Sequence, residues 1–479
     1  MLFQLTLPSP LWLREFGRIA RENAMIRVAL ETFSKADGRE LVAQSGTAEP
    51  TDATWRPSDL RQLLVVRFSS RVAAQSGPEL LQALAPRPGQ LIATLVLGIG
   101  TAAGWWSAAV HFSGAFYPVS ALRLVGPGMV TLEPTDRSAA ASPPSPRPTA
   151  PAAKPATAKP AKASAAAADS GEAVDWSRVR GALGDQLFDR VRESSVALIG
   201  TSRNGSFAAH AFAMLGVRSL ILIDPDRDEA HHLTSTLGAS RDGIDDWKVA
   251  NRAASLRRFR GDLGLATWNR SFPDPETAAA IINADLICTC TDDDLPRLAA
   301  AYWAQTHCRP HLDIGSGVFV EPPPADASLS PSPSPSPRPT GHHPVPPSIP
   351  ESSAAGSAAR RKGLDVQLAL PGESCVACLA SLRREAEAWR QLQEPPGMLS
   401  NRPPQSWQSQ RAGSLPTVNA IAANLGVQIW LELLAGVIST SVWLRMEWDD
   451  GGLPTVARRG PAAGPCRVCR PPARSVPAA

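Results

Sequence analysis

Short apolar runs alternate with polar turns along the first 132 residues and predict several strands and one helix. Residues 25–33 (MIRVALETF) and 90–100 (QLIATLVLGIG) have the composition of strands, and 77–85 (GPELLQALA) has a helical spacing of apolar positions. Residues 104–129 are typical of strands around a turn. We therefore predict an N-terminal α+β domain over 1–132.

A second hydrophobic pattern, VALIGTSRNGSFAAHAFAMLGVRSLILIDPD, predicts a βαβ unit. The apolar run Val196–Ile199 leads into Gly200, Ser202 and Gly205 at GxGxxG spacing, and a helix-like stretch precedes a second apolar run that ends at Asp224. Glycines at these positions allow a tight turn and a close approach of backbone N–H groups to phosphate. Ser202 stands at the middle position. The pattern predicts a nucleotide-binding loop, and an ordinary strand-to-helix turn is the alternative.

Proline divides the chain into segments. The 479 residues include 46 prolines, and 43% are hydrophobic, which is enough for two or three domains. The prolines concentrate in 138–173 and 321–363, which cannot bury enough apolar surface to offset ordering. We predict disordered linkers at 133–174 and 321–363, a nucleotide-binding core at 175–320 and its C-terminal part at 364–479, with the N-terminal domain separate from both.

Charge and targeting patterns favour a cytoplasmic protein with no nucleic acid partner. The net charge is +4, and many of the basic residues lie in the linkers and the tail rather than in a stripe with aromatic residues. The N-terminus does not have the pattern of a secretion signal. The most apolar stretch, 418–444, carries Asn419, Asn424, Gln428 and Glu432, which favour a buried helix over a membrane span.

Four of the seven cysteines form two CxxC pairs. Cys375 and Cys378 lie in SCVACL, and Cys466 and Cys469 lie in PCRVCR. Two such pairs predict a tetrahedral structural zinc site in a reducing compartment, and redox or chance cysteines are the alternative. We expect the other three cysteines to be packing residues in or near strands; they are Cys288, Cys290 and Cys308.

The order of motifs from residue 176 to 475 resembles the ThiF and ubiquitin-activating-enzyme family of ATP-dependent adenylyltransferases. The glycine loop is followed by a strand that ends in DPD, a basic residue in DDWKVANRAA, a strand that ends in CTD, and the two CxxC pairs. The resemblance implies an α/β, Rossmann-like fold with structural zinc. It also implies adenylation of a C-terminal carboxylate with ATP and Mg²⁺.

The resemblance implies roles for individual residues. Asp224 would hold the ribose, with Asp226 as the lesser candidate, and Lys248 would contact the phosphates. Asp292 would bind Mg²⁺, and Arg178 or Arg180 resembles the arginine that family dimers insert into the partner's site. Two alternatives stay open from the residues alone. Lys248 could be a solvated residue at a helix start, and the aspartates 292–294 could form a helix N-cap cluster.

The chain departs from the family pattern after the DPD strand. Where the family has SNLxR, this sequence has HHLTS, so His232 replaces the asparagine and Ser235 replaces an arginine that contacts phosphate. A lost guanidinium removes strong hydrogen bonds from a phosphate site. Arg203, inside the glycine loop, could restore the charge. The sequence has no cysteine between Arg309 and Ser374 or between Leu379 and Pro465, so we expect no thioester step unless Cys288, Cys290 or Cys308 serves.

The stretch LLVVRFSSRVAAQSGPELL resembles the core of JAB/MPN isopeptidases. If Ser76 matches the family serine, Glu79 takes the aspartate position, and Arg67 and Ser69 take the positions of two zinc-binding histidines. Neither replacement offers an imidazole ligand, and His111 lies too far along the chain to complete the metal-binding motif. We expect an inactive JAB/MPN-like domain, with an unrelated α+β domain as the alternative.

These patterns predict an adenylyltransferase that activates the C-terminus of a small ubiquitin-like or sulfur-carrier protein. The expected cofactors are ATP, Mg²⁺ and Zn²⁺, and the expected assembly is a homodimer with no membrane. An inactive ThiF-like nucleotide-binding scaffold is the second candidate function. An NAD-dependent oxidoreductase is the third, since Asp224 also suits the ribose of NAD, but it leaves the CxxC pairs unexplained.

Overall fold

The structure is a computed structural model, and it describes seventeen stretches of the chain. They are residues 2–7, 25–35, 38–44, 49–51, 62–69, 76–87, 90–98, 106–125, 129–132, 174–282, 284–320, 360–379, 382, 385–393, 413–448, 452–460 and 466–469. The linker predicted at 133–174 lies outside the described residues except for Val174, and so does the insertion from 321 to 359.

The N-terminal region forms a nine-stranded sheet with one described helix. The elements are β1 Leu2–Leu7, β2 Met25–Lys35, β3 Gly38–Ala43, β4 Glu49–Thr51, β5 Leu63–Ser69, α1 Gly77–Leu84, β6 Ile92–Gly98, β7 Trp106–Phe112, β8 Ala115–Leu124 and β9 Val130–Leu132. The order is β1-β3-β2-β5-β6-β7-β8-β9, and β4 pairs with β2. Because β1 also pairs with β8, the pairings close into a ring. The strands and helix predicted over 25–33, 77–85, 90–100 and 104–129 are confirmed where the structure describes these ranges; residues 99–100, 104–105 and 126–128 lie outside the described residues.

The second region contains an eight-stranded sheet. Its strands are β10 Ser195–Ile199, β11 Ser219–Ile223, β12 Gly264–Trp268, β13 Leu286–Thr289, β14 His311–Val320, β15 Arg360–Ala369, β16 Val442–Trp448 and β17 Pro454–Arg459. The helices are α2 Ser177–Leu183, α3 Asp185–Glu193, α4 Arg203–Leu215, α5 Lys248–Arg257, α6 Pro275–Ile281, α7 Asp294–Thr306, α8 Glu385–Leu392 and α9 Pro416–Leu434, with short 3₁₀ helices at Ala230–Thr234 and Arg241–Gly243.

The order of the parallel strands fixes where a ligand can bind. The sheet runs β12-β11-β10-β13-β14 in parallel and continues as the antiparallel strands β15, β16 and β17. Every residue of β10 and of β13 is buried, as expected of central parallel strands. The chain leaves β10 for one side and returns through β13 on the other. The carboxyl ends of β10 and β13 therefore form the switch point at which open α/β sheets bind ligands.

Helix α9 packs on the sheet as a core helix. It is 19 residues long and apolar enough to cross a membrane by length and composition, but 61% of its apolar window is buried inside the fold. Trp430 meets Phe212 edge to face with 5.2 Å between ring centroids. A side chain at Gly426 would come within 2.7 Å of Ile314 Cδ1, so the glycine allows the helix to approach β14 closely.

One sequence-based boundary differs from the structure. Residues 360–363, assigned to the second linker, belong to β15, where Arg360 opposes Val320 in the antiparallel pairing. Their charged composition concealed a strand that is defined by its pairing with β14 and, at Gly363, with β16. The N-terminal region has its own sheet and its own hydrophobic core, and it also contacts the second region directly. The Phe33 ring lies 4.0 Å from the His307 ring, and Gln44 Nε2 donates to the Thr306 carbonyl at 3.2 Å.

Candidate nucleotide site and cysteine cluster

The glycine loop after β10 needs glycine at two positions. Gly200 has φ +88°, and a Cβ there would lie 2.8 Å from the carbonyl oxygen of Cys290. A Cβ on Gly205 would lie 1.9 Å from the Gly200 carbonyl oxygen. Ser202 has φ −83°, which any residue adopts. The middle position therefore does not need the left-handed conformation that glycine permits, and α4 begins directly after it.

Asp224, at the end of β11, is bonded to the glycine loop. Its Oδ2 accepts from the Thr201 N–H at 2.7 Å and from the Thr201 hydroxyl at 3.2 Å, and Oδ1 accepts from the Asp226 N–H at 3.1 Å. Burial raises its pKa, and Lys248 opposes that effect. Sequence reasoning missed Thr201. Asp224 thus braces the loop, while its predicted contact with the ribose stays a prediction.

Lys248 is the first residue of α5 and points into the site. Its Nζ lies 2.8 Å from Asp226 Oδ2 and 4.0 Å from Asp224 Oδ1, and its side chain is 7% exposed. Burial disfavours the ammonium, but the carboxylates of Asp224 and Asp226 outweigh it and raise the pKa of Lys248. The alternative of a solvated lysine at a helix start does not describe this buried cation. A positive charge is therefore fixed beside the glycine loop.

The three consecutive aspartates after β13 have different surroundings. Asp293 caps α7, because its Oδ1 accepts from the Leu295 N–H at 3.2 Å. Asp294 lies 3.2 Å from Arg297, whose other nitrogen lies 2.5 Å from Asp313. Asp292 is 45% exposed and lies 3.4 Å from Arg203 Nη1. The cap belongs to Asp293, and Asp292 is the member that faces Arg203; its predicted contact with Mg²⁺ stays a prediction.

Arg297 is a second residue that sequence reasoning missed. Its guanidinium joins the start of α7 to β14 and so fixes the loop that carries Asp292. Burial alone would raise the pKa of Asp313, but Arg297 outweighs it and the pKa is lowered. An arginine three residues after an aspartate on one helix is a recognisable local pairing. The contact with Asp313, which lies on β14, has no signal in the sequence around Arg297.

The segment that departs from the family pattern lies next to this site. His232 is buried, and its Nδ1 accepts from the Glu229 N–H at 2.8 Å. Burial first, and then the nearby cations, lower the pKa of His232 to about 3. The imidazole is neutral at pH 7. Ser235 Oγ donates to the His231 carbonyl at 3.3 Å, so neither replacement adds positive charge to the site.

Helix α2 carries the two arginines that the resemblance connects with a partner's site. Arg180 Nη1 donates to Asp185 at 2.7 Å, and its guanidinium lies 4.6 Å from the centre of the Phe188 ring. Arg178 is exposed. The contacts of Arg180 stabilise the start of α3, and Arg178 stays the candidate that a partner subunit could meet.

The three cysteines outside the CxxC pairs are packing residues. Cys288 and Cys308 are fully or almost fully buried, and burial raises the pKa of Cys308 to about 12. Cys290 Sγ lies 4.0 Å from Cys288 Sγ, and this neighbour, together with burial, raises the pKa of Cys290 well above its ordinary value. Thiols in this state are poor nucleophiles.

The four remaining cysteines come together although the two pairs are 91 residues apart. Cys375 Sγ lies 3.5 Å from Cys466 Sγ, Cys378 Sγ lies 3.7 Å from Cys469 Sγ, and all four sulfur atoms lie within 4.8 Å of one another. Tetrahedral zinc thiolates have S···S separations of about 3.8 Å. The donor set therefore fits zinc. Leu298 and Ala301 of α7 pack against the cluster, which links it to the helix that follows Asp292.

The N-terminal residues compared with JAB/MPN isopeptidases have a local structural explanation. Ser76 and Glu79 form a capping box at α1: the Ser76 N–H donates to Glu79 at 2.6 Å, and the Glu79 N–H donates to Ser76 Oγ at 3.4 Å. Arg67 lies on β5, and the side chain of Ser69 lies outside the described residues. His111 Nδ1 is 2.9 Å from the Gln90 carbonyl oxygen. The inactive isopeptidase interpretation stays a prediction.

Comparison with known proteins places this geometry in a family. The sequence model of the ThiF family matches residues 176–446, more than half of the chain. No curated protein matches the sequence. The structure is similar to E. coli MccB with ATP (15% identity, 60% of this chain and 70% of that chain, TM-score 0.40), to E. coli MccB with succinimide (16%, 59% and 68%, 0.39) and to PaaA (13%, 57% and 66%, 0.37). These sequence identities and TM-scores are too low to transfer an activity from those proteins to this chain. On the strength of the family match, the chain belongs to the ThiF family of adenylyltransferases.

Proposed function

We propose that this protein adenylates the C-terminus of a small ubiquitin-like or sulfur-carrier protein. The observation that carries the proposal is the charge arrangement at the switch point. A glycine loop, the buried Lys248 ammonium and the half-exposed Asp292 carboxylate meet at the carboxyl ends of β10, β11 and β13. Membership of the ThiF family supports ATP-dependent adenylation of a peptide or protein C-terminus in general.

The reaction needs the features that this site has. A carboxylate oxygen attacks the α-phosphorus of ATP, an acyl-adenylate forms, and pyrophosphate leaves. The N-terminus of α4 and the glycine loop offer N–H groups to the phosphates, and Lys248 offsets their charge. Asp292 offers the oxygen ligand that Mg²⁺ prefers, and the metal would supply charge at the phosphates.

The remaining chemistry argues for adenylation without a thioester. All seven cysteines lie in the described residues, four in the cysteine cluster and three in packed positions with thiols of raised pKa or deep burial. The adenylate would pass to an external acceptor. We also propose a homodimer, in which the exposed Arg178 meets the partner's nucleotide, and a structural zinc in the cysteine cluster.

Pyrophosphate exchange tests the activity. The full chain is mixed with ATP, Mg²⁺, labelled pyrophosphate and small carrier proteins that end in Gly-Gly. Matched carriers with an amidated C-terminus serve as controls, because they lack the attacking carboxylate. Short peptides with free C-termini are included, since E. coli MccB has been crystallised with the peptide MccA.

Each outcome separates the candidate functions. Exchange with a free but not an amidated C-terminus supports the proposal. ATP binding without exchange with any free carboxylate would favour the inactive scaffold instead. A preference for NAD over ATP in calorimetric titration would favour the oxidoreductase.

A further inference from the structure

We propose that Arg203 is the arginine that contacts the ATP phosphates in this chain, and that Asp292 holds its guanidinium until nucleotide and divalent cation separate the pair. The inference rests on the proposed function. Arg203, on α4, would take the place of the family arginine, because this chain has Ser235 at that position.

The geometry of Arg203 favours this role. It is the first residue of the 13-residue helix α4, directly after Ser202, whose side chain makes no capping hydrogen bond. The first N–H groups of α4 and the Arg203 side chain therefore lie at the same end of the glycine loop. Arg203 Nη1 lies 3.4 Å from Asp292 Oδ2 across the switch point, so the guanidinium spans the mouth of the site.

Arg203 also acts electrostatically on the segment that departs from the family pattern. Its charge contributes to the lowered pKa of His232, which lies three residues before Ser235. The guanidinium is therefore within electrostatic reach of the 3₁₀ helix Ala230–Thr234. A side chain between that helix and Asp292 is positioned to reach a polyphosphate on the glycine loop.

The other described cations near the site are already engaged. Arg252 Nη2 donates to both oxygens of Asp228, at 2.6 and 2.7 Å, in a fully buried ion pair. Lys248 is held by Asp226, and Arg297 is held by Asp294 and Asp313. His232 is neutral. Among these groups, the partly exposed Arg203 is the one that can change partners without leaving a buried charge unpaired.

The pair with Asp292 can exchange because it is weak. An ion pair between partly exposed side chains is screened by water, whereas a guanidinium makes stronger, bidentate hydrogen bonds to phosphate. When ATP and a divalent cation enter together, Arg203 turns to the phosphates and Asp292 becomes a metal ligand. Arg203 and the metal compete for Asp292 before nucleotide binds, and they act on the same phosphates afterwards.

The test uses two binding measurements that should move in opposite directions. In the full chain with Mg²⁺ present, Arg203→Ala should weaken binding of ATP at least tenfold by calorimetry. Arg203→Lys should give an intermediate loss, because it keeps the charge but not the fork. The same Arg203→Ala variant should bind Mn²⁺ alone at least twofold more tightly, read by electron paramagnetic resonance, because Asp292 has lost its competing cation.

The controls separate this inference from the proposed function. Arg258→Ala removes an exposed arginine at the far end of α5 and should leave both affinities unchanged, and Asp292→Ala should remove the Mn²⁺ effect. If the unaltered chain exchanges pyrophosphate but Arg203→Ala binds ATP as tightly as it does, this inference is wrong and the proposed function stands. Weaker Mn²⁺ binding in Arg203→Ala would also overturn it. A chain that binds no ATP would overturn both.

Discussion

Glu40 and Arg309, 269 residues apart in the sequence, form a buried ion pair between the two sheets. Arg309 Nη2 donates to Glu40 Oε2 at 2.8 Å, Nη1 donates to Oε1 at 3.1 Å, and both side chains are 1% exposed. The Thr6 hydroxyl also donates to Glu40. Two charges buried in this way hold their geometry only while both partners are present. The N-terminal region is therefore fixed to the adenylyltransferase fold.

Loss of one member of this pair should destabilise the protein strongly. Glu40→Ala leaves the Arg309 guanidinium buried without its counter-charge, at a cost of about 3–5 kcal/mol in the free energy of unfolding. Denaturant unfolding followed by fluorescence measures it. The double variant Glu40→Leu with Arg309→Met should recover most of the loss, because an apolar pair carries no desolvation penalty. A double variant as unstable as Glu40→Ala would contradict this account.

Removal of the whole N-terminal region should expose a surface that is buried in the full chain. Deletion of 1–132 uncovers Arg309, the buried Cys308 and Asp285, which lies 2.5 Å from Arg123. Asp285 also accepts from the Ser195 N–H at 2.7 Å, at the start of β10. We expect the truncated protein to aggregate or to melt well below the full chain in calorimetry. A truncated protein that melts at the same temperature would show that the contact is dispensable.

The contact between the N-terminal region and the second region, which includes His307, should make the free energy of unfolding depend on pH. Burial first, and then Arg309, lower the pKa of His307 to about 4, against about 6.5 in the unfolded chain. Between these values the unfolded state takes up a proton that the folded state does not, so the free energy of unfolding falls as pH falls from about 6.5 to about 4. His307→Phe should reduce that slope, by at most about 1.4 kcal/mol per pH unit.

Zinc in the cysteine cluster should contribute to folding more than to chemistry. We expect about one zinc per chain by metal analysis, held by the four thiolates. Cys375→Ser should lower the melting temperature, and the residual folded protein should retain ATP affinity, because the cluster contacts α7 through Leu298 and Ala301 rather than the nucleotide loop. If a folded, reduced sample contained no zinc, the proposed structural zinc site would be wrong. Cys308→Ser, outside the cluster, controls for loss of a thiol.

Local patterns predicted the parts of the structure that depend on local physics. A short segment of sequence was enough to predict each of three features: the apolar run before Gly200, the turn that needs glycine, and the CxxC pairs. The Glu40 pairing with Arg309 was not, because neither residue has a neighbour in sequence that marks it. Nor could spacing separate Asp292 from Asp293. Both suit an N-cap, and the extended backbone at Asp293, with φ −89° and ψ 135°, decides between them.

Asp292 and Asp293 should respond differently to substitution, because only Asp293 caps α7. If Asp292 binds Mg²⁺ at the phosphates, Asp292→Ala should leave ATP affinity within a few-fold but slow adenylate formation by on the order of 10²-fold or more, because the charge of the metal stabilises the transition state more than the ground state. Asp293→Ala is the matched control. It should cost about 1 kcal/mol of stability through the lost cap and leave the rate of pyrophosphate exchange nearly unchanged.

Asp224→Ala completes the comparison at the other strand end. It removes the carboxylate that accepts from Thr201 and from the Asp226 N–H, so it should loosen the glycine loop and weaken ATP binding by about 1–3 kcal/mol. Calorimetric titration, pyrophosphate exchange and thermal melts on the three variants distinguish binding, chemistry and stability. Equal rates of exchange in Asp292→Ala and Asp293→Ala would show that Asp292 holds no catalytic metal, and the assignment of this strand end to Mg²⁺ would then be wrong.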